Sequence, residues 1–147
     1  MTCRANLVEL GEAMHAYAND YNGRFPIPAR WFDLLSEHAQ VAPEAFRCRG
    51  RDEGPCNYGM NTSLEGLGTS APPDMVLLYE TFPAWNQRDG PQLLIVDNHQ
   101  GEGCNVLFVD GHVEFVETGS SQQLRWTVDG SLQGDLPSAG FQRASPR

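Results

Sequence analysis

Residues 3–26 read CRANLVELGEAMHAYANDYNGRFP, and this stretch predicts one long amphipathic helix. Its apolar side chains recur at alternating steps of four and three, which places them on one stripe of a helix. The stripe comprises Cys3, Leu7, Leu10, Met14, Tyr17 and Tyr21. Asn22-Gly23 favours a left-handed stop and Pro26 forbids continuation, so the helix has about 22 residues and a length of about 33 Å. We expect its core-facing stripe to be Leu7, Leu10, Met14 and Tyr17.

The second half of the chain predicts a small antiparallel sheet. Five segments have the composition of strands bounded by turn residues, namely residues 75–79, 92–96, 105–109, 112–116 and 123–128. Asp110-Gly111, between the third and fourth segments, is a strong hairpin signal. Because side chains alternate along a strand, one face of the third segment carries Val106 and Phe108, and the other carries Leu107 and Val109.

The segment between helix and sheet predicts a short helix and a long irregular loop. Residues 29–40 place Trp31, Leu34, Leu35 and His38 on one helical face. Residues 41–73 are rich in Gly, Pro, Ser and Thr, with two short extended pieces at residues 46–48 and 57–60. The chain therefore predicts an α+β fold in which the long helix packs on the sheet. We expect one globular domain over residues 1–135 and a flexible tail over residues 136–147.

Composition excludes several classes of function. The 147 residues are 40% hydrophobic, which is enough for a core and argues against wholesale disorder. The net charge of -9 argues against nucleic acid as a partner, because phosphate binding requires clustered cations. No apolar run reaches the roughly 18 residues of a membrane span.

The four cysteines allow three pairings if all of them are bridged. Their number and spacing alone do not distinguish an oxidising compartment from a reducing one. Cys48 and Cys56 flank a loop, RGRDEGP, which a disulfide could close. The alternative is four scattered thiols in a reducing compartment.

A series of short motifs runs through residues 1–118. In the first helix the motifs are Cys3, Asn6-Leu7, Leu10-Gly11, Tyr17, Asp20 and residues 23–26. The later ones are residues 31–35, 46–48, 57–61, 77–80 and 105–113. In this order and spacing the motifs resemble a bacterial family of type IV pilin-like proteins. The family is the pseudopilin-like group with a prepilin-type processing-associated domain, whose signature is a His, nine residues and Asp-Gly. His99 departs from the signature, because ten residues separate it from Asp110.

The resemblance implies a pilin-like fold and a structural, non-enzymatic role. Such proteins are subunits of type IV pili or type II secretion pseudopili, and their partners are other pilin-like subunits or secretion-system components. The family's membrane helix and prepilin cleavage site are not in these residues, so we expect a truncated head whose full form is anchored in the inner membrane. The implied location is extracytoplasmic and oxidising, which favours a Cys48–Cys56 disulfide slightly over Cys3–Cys48. Cys104 takes a position that is commonly a small residue, so we expect a buried thiol.

Candidate binding residues cluster around the predicted hairpin and in two loops. His99, Asp110 and His112 surround the hairpin, and Trp85 and Tyr58 are aromatic residues of loops that would contact a glycan or an exported protein. This binding module is the alternative to a filament subunit. A metal site would use Asp97, His99, Glu102 and Asp110, with calcium favoured if oxygen ligands dominate and zinc if imidazoles do. The simpler expectation is no cofactor, with Asp110 capping its own turn.

Overall fold

The computed structural model describes residues 3–39, 41, 43–46, 56, 58–81, 86, 88–90, 94 and 101–128. Over these residues the fold is α+β, as predicted, with two α-helices and a five-stranded sheet. The helices are α1 (Cys3–Asp20) and α2 (Trp31–Ala39). The strands are β1 (Tyr58–Asn61), β2 (Val76–Glu80), β3 (Arg88–Asp89), β4 (Gly103–Phe108) and β5 (Val113–Glu117). The predicted tail, residues 136–147, lies outside the described residues.

Helix α1 is shorter than predicted, with 18 residues. The predicted left-handed stop is confirmed, because Asn22 has a φ of 60° and Gly23 a φ of 84°. The Gly23 N–H donates to the Ala18 carbonyl at 2.7 Å, which closes the helix in a Schellman motif before the predicted last turn forms. Neither α1 nor any other helix among the described residues is long and apolar enough to cross a membrane.

The sheet has the order β3-β1-β2-β4-β5 and is mixed, so the predicted antiparallel sheet is confirmed only in part. The β1–β2, β2–β4 and β4–β5 pairs are antiparallel, whereas β3 runs parallel to β1 and pairs through two residues. The position of β3 follows from the hydrogen bonds of Asn86, which lies two residues before the strand. Asn86 accepts a hydrogen bond from the N–H of Phe32 at 2.8 Å and donates to the Asp33 carboxylate, which pins it to the first turn of α2.

Two further strand predictions have other outcomes. Of residues 92–96, only Leu94 is described, and it is buried outside a strand. The predicted strand over residues 123–128 is wrong: Thr118–Gln123 form a 3₁₀-helix, and Arg125 makes only an isolated parallel bridge to Met75. This segment instead buries Trp126 against Tyr79, with the two ring centroids 5.0 Å apart.

Other segments cover both faces of the sheet, so the sheet separates two hydrophobic cores. The helix face carries Leu78, Leu107 and Val109 under α1 and α2. The outer face carries Val106, Phe108 and Val116 under Trp126 and Leu94. The predicted alternation along β4 is therefore confirmed.

The predicted stripe of α1 is confirmed except at its C-terminal end. Leu7, Leu10 and Met14 are fully buried on the helix face. Tyr17 is half-buried at the border of the core and stacks on Tyr21, with 4.3 Å between the ring centroids. At this end of α1 the residue buried in the core is Ala18 instead. Gly11 allows α1 to approach β4 closely, since a Cβ there would lie 2.9 Å from a methyl of Leu107.

Candidate functional site

The β4–β5 hairpin, predicted from Asp110-Gly111, is present and brings two predicted site residues together. The Gly111 N–H donates to the Phe108 carbonyl at 2.8 Å, and the Phe108 N–H donates to the His112 carbonyl at 2.9 Å. Gly111 has a φ of 98°. This is a three-residue loop with a left-handed glycine, which forms when a tight turn is followed by a bulge.

Asp110, His112 and Glu114 form what we call the hairpin cluster. The two ring nitrogens of His112 contact the Asp110 carboxylate at 2.5 Å and the Glu114 carboxylate at 3.0 Å. Asp110 also accepts a hydrogen bond from the backbone N–H of His112 at 3.0 Å, so the predicted turn cap is confirmed. The His112 ring stacks on Phe108 with 4.5 Å between the centroids. The imidazole therefore lies between two anionic groups and above an aromatic face.

The charges of the hairpin cluster shift two pKa values in opposite directions. Partial burial lowers the pKa of His112, but the hydrogen bonds and charges of Asp110 and Glu114 outweigh this effect, and the net pKa is raised. Partial burial raises the pKa of Asp110, but hydrogen bonds from His112 and the charges of His112 and His15 outweigh it, so the net pKa is lowered. The ion pair between Asp110 and the imidazolium is thereby favoured in the folded state.

A histidine of α1 supports the hairpin from the other side. His15 contacts the Gly11 carbonyl of its own helix at 3.0 Å through Nδ1 and the Val109 carbonyl at 2.9 Å through Nε2. Its ring meets Phe25 edge to face. Sequence reasoning did not place His15 here, because its only signal was a histidine beside the apolar stripe, which does not indicate a long-range partner.

A groove, which we call the outer groove, lies beside the hairpin cluster between β5 and residues 120–125. It has a volume of about 490 Å³, within the range of ligand-binding clefts. Apolar, polar and charged residues all contribute to its lining, which comprises Asp74, Phe108, His112, Glu114, Phe115, Val116, Glu117, Ser120, Gln123, Leu124 and Arg125. Arg125 pairs with Asp74 at 2.9 Å and also donates to the Thr127 and Val128 carbonyls.

Only two of the four residues of the predicted metal site are described, and these two lie apart. Asp97 and His99 lie outside the described residues. Glu102 and Asp110 flank opposite ends of β4, more than about 20 Å apart along an extended strand, so they cannot share an ion. In the described part of the chain, no three His, Cys, Asp or Glu side chains are placed to hold a metal together.

The two predicted aromatic binding residues do not form a described surface. Trp85 lies outside the described residues. Tyr58 is fully buried in the helix-face core, so the expectation that it contacts a ligand is wrong. It faces inward because Tyr58 and Met60 share the side of β1 that packs on the helices. Burial, and then the charge of Glu80, raise the pKa of the Tyr58 hydroxyl.

A buried carboxylate joins β2 to β4 at the end of the sheet. Glu80 is fully buried and accepts hydrogen bonds from the backbone N–H of Asn105 at 2.9 Å and from its side-chain amide at 3.1 Å. A buried carboxylate requires such donors, because an uncompensated buried charge is strongly destabilising. Sequence reasoning missed this contact, since one acid at the end of an apolar run does not identify its donors.

The side chains of two of the four cysteines, Cys56 and Cys104, are described, and both carry free buried thiols. The Cys56 thiol bonds locally to the backbone of Tyr58, in contrast to its predicted disulfide with Cys48, which lies outside the described residues. Burial raises the pKa of Cys56 to about 12. Burial, and then the charge of Glu80, raise the pKa of Cys104 well above its usual value. Cys104 is therefore the buried thiol that was expected.

Comparison with known proteins adds no family assignment. The chain matches no protein-family model, and no curated protein or solved structure is significantly similar to it. Functional inference therefore rests on the residues and geometry above.

We predict that His112 makes stability pH-dependent near neutrality. Because its folded pKa is raised above 6.5, its contribution is fully present below pH 6.5 and is lost as the pH rises through the folded pKa. The hairpin cluster is largely solvent-exposed, so the loss is at most about 1 kcal/mol. Urea unfolding at pH 5.5 and 8.5 should therefore show a larger fall in stability for the wild type than for His112→Asn. Equal falls would contradict the prediction.

We predict that Cys56 and Cys104 resist alkylation in the folded protein, because both thiols are buried and have raised pKa values. Iodoacetamide at pH 8, followed by peptide mapping, should label neither until guanidinium is added. Once the protein is unfolded, without a reductant, both should be labelled. Rapid native labelling of either thiol would contradict its buried position. Labelling of Cys56 that requires a reductant as well as unfolding would show that it is in a disulfide.

Proposed function

We propose that this chain is the globular head of a pilin-like or pseudopilin-like subunit, with a structural role in an extracytoplasmic filament. The observation that carries the proposal is the packing of α1. One apolar stripe of the helix covers one face of a small sheet whose β1–β2 and β4–β5 pairs are antiparallel. The ordered sequence resemblance implies the same arrangement of helix and sheet.

The first turn of α1 is hydrogen-bonded to the sheet, which supports a mechanical role for the helix. Arg4 donates a hydrogen bond to the Val113 carbonyl of β5 at 2.8 Å. Further along α1, His15 contacts Val109 in the hairpin at 2.9 Å. Helix and hairpin are thus joined at two levels, in addition to the buried stripe. A force applied along α1 is transmitted to the sheet through these contacts.

The thiol chemistry supports a structural role over a nucleophilic one. A nucleophilic cysteine requires an accessible site that lowers its pKa. Cys104 is instead buried at the end of β4, with a raised pKa. His112, which could act as a base, lies beyond the opposite end of β4, with both ring nitrogens in contact with carboxylates. These observations do not favour a cysteine–histidine catalytic pair.

The alternative, an extracytoplasmic binding module, draws support from the outer groove. This groove is formed by β5 and residues 120–125, not by the loops that the sequence suggested. A binding function and a filament role are compatible, because α1 covers the helix face while the groove lies by the other face of the sheet.

The proposed function predicts assembly that depends on the prepilin peptidase. The gene encoding this chain would be expressed in its own host with an epitope tag after Arg147, in wild-type cells and in cells lacking that peptidase. We expect the tagged protein in the sheared, high-molecular-weight filament fraction of wild-type cells only. In the mutant, a larger unprocessed form should remain in the inner membrane. An untagged strain controls for antibody specificity.

Protein of one size in the soluble fraction of both strains would contradict the proposal. Pulldown of pilin-like subunits by the tagged protein, after crosslinking in intact cells, provides the second readout.

A further inference from the structure

We propose that His15 makes the attachment of α1 to the β4–β5 hairpin dependent on pH, stronger in acid than in alkali. The inference concerns the contacts between α1 and the hairpin, and it does not depend on the filament role. It rests on an unusual feature of the His15 ring: both of its nitrogens lie within hydrogen-bond distance of a backbone carbonyl oxygen.

The two acceptors of His15 fit the protonated form of its ring. Nδ1 lies 3.0 Å from the Gly11 carbonyl oxygen, and Nε2 lies 2.9 Å from the Val109 carbonyl oxygen. A carbonyl oxygen only accepts hydrogen bonds, and a neutral imidazole has one N–H, so the neutral ring donates to one of the two carbonyls at most. The imidazolium has an N–H on each nitrogen and donates to both. Loss of the proton therefore removes one of the two hydrogen bonds.

Packing holds the His15 ring between these acceptors. The ring is perpendicular to the uncharged ring of Phe25, with 5.6 Å between the centroids, and a Cβ at Gly111 would lie 3.6 Å from its Cε1. Val109 is 2% exposed, so its carbonyl requires a donor from the protein, and His15 supplies one. A neutral ring in this position directs a nitrogen lone pair at one of the carbonyl oxygens. That contact is unfavourable, because neither atom has a proton to donate.

The acidic groups near His15 favour a cation at this position. Asp110, in the hairpin turn, interacts electrostatically with His15. On α1, Glu12 lies one helical turn before His15, at a spacing that brings side chains together. His112 opposes these two carboxylates when it is protonated, but its own ring is in contact with Asp110 and Glu114. The charges around His15 therefore act in the same direction as its two acceptors.

Arg4 provides a contact of the same kind that does not depend on pH. It donates a hydrogen bond to the Val113 carbonyl at 2.8 Å and so joins the first turn of α1 to the same hairpin. A guanidinium stays charged throughout the pH range in which proteins are folded. Charged donors of α1 therefore hold the hairpin at two places in acid, through Arg4 and His15, and at one place in alkali, through Arg4.

The first test compares folding equilibrium constants, measured by urea unfolding of the complete 147-residue chain at pH 5.5 and 8.5. All variants carry His112→Asn, so that the titration of His112 does not contribute. Adding His15→Gln leaves a single donor group that does not titrate. It should lower the constant about five- to tenfold at pH 5.5, where one hydrogen bond is lost, and less than about twofold at pH 8.5.

Arg4→Gln in the same background is the matched control, and it should lower the constant by the same factor at both pH values. An equal effect of His15→Gln at both pH values would show that His15 is only a structural contact and would overturn the proposal. No effect of His15→Gln at either pH would overturn it as well.

The second test leaves His15 intact and so remains decisive if His15→Gln does not fold. Hydrogen-bonded ring N–H protons exchange slowly enough to be observed by NMR in protein labelled with ¹⁵N-histidine, and their proximity to Phe25 assigns those of His15. We expect two ring N–H signals of His15 at pH 5.5 and one at pH 8.5. One signal at both pH values would show a neutral ring with a single donor. Two signals at both would show that the proton is not released in this range, and either result would overturn the proposal.

Discussion

Strands β2 and β4 pair along the centre of the sheet and are buried along their whole lengths, and the rest of the structure is arranged around this pair. A strand pair with two apolar faces requires a cover on each side, because exposed apolar area is costly in water. Helix α1 covers one face and the segment ending at Trp126 covers the other. Glu80 and Asn105 close the end of the pair with buried hydrogen bonds, which favours one register.

The central pair determines the position of the β4–β5 hairpin. Strand β4 continues directly into the turn, so the packing of Leu107 against Gly11 also fixes where Asp110 and His112 lie. His15 holds the turn from α1, while Phe108 supports the His112 ring from the sheet. The hairpin cluster and the outer groove therefore stand on a rigid base, which is the arrangement that binding surfaces require. A filament subunit of this design would keep the outer groove accessible while α1 serves assembly.

Local patterns predicted much of the fold. The apolar stripe of α1, the stop at Asn22-Gly23 and the alternation along β4 depend on residues close in sequence. The stop and the alternation are confirmed, and the stripe is confirmed up to Met14. The errors arose where distant residues decide the structure. The parallel position of β3 follows from the hydrogen bond between Asn86 and α2. The segment 118–126 covers the apolar side chains on the outer face of the sheet, which lie far away in the sequence.

In the site, Asp110 and His112 were found from the turn signal, whereas the contributions of His15, Glu80 and Asp74 depend on partners far along the chain. The burial of Tyr58 follows from which face of β1 meets the helices, and sequence alone does not determine that orientation.

The central claim is that α1 and the β2–β4 pair form one cooperative unit. Native-state hydrogen exchange tests it directly, because it reports the free energy of opening for each amide. The account predicts that the amides of Met14 in α1, Leu78 in β2 and Val106 in β4 exchange with the same, highest free energy of opening, equal to that of global unfolding. Exchange of the Met14 amide through an opening several kcal/mol below that of Val106 would show that α1 detaches while the sheet remains folded, and would contradict the account.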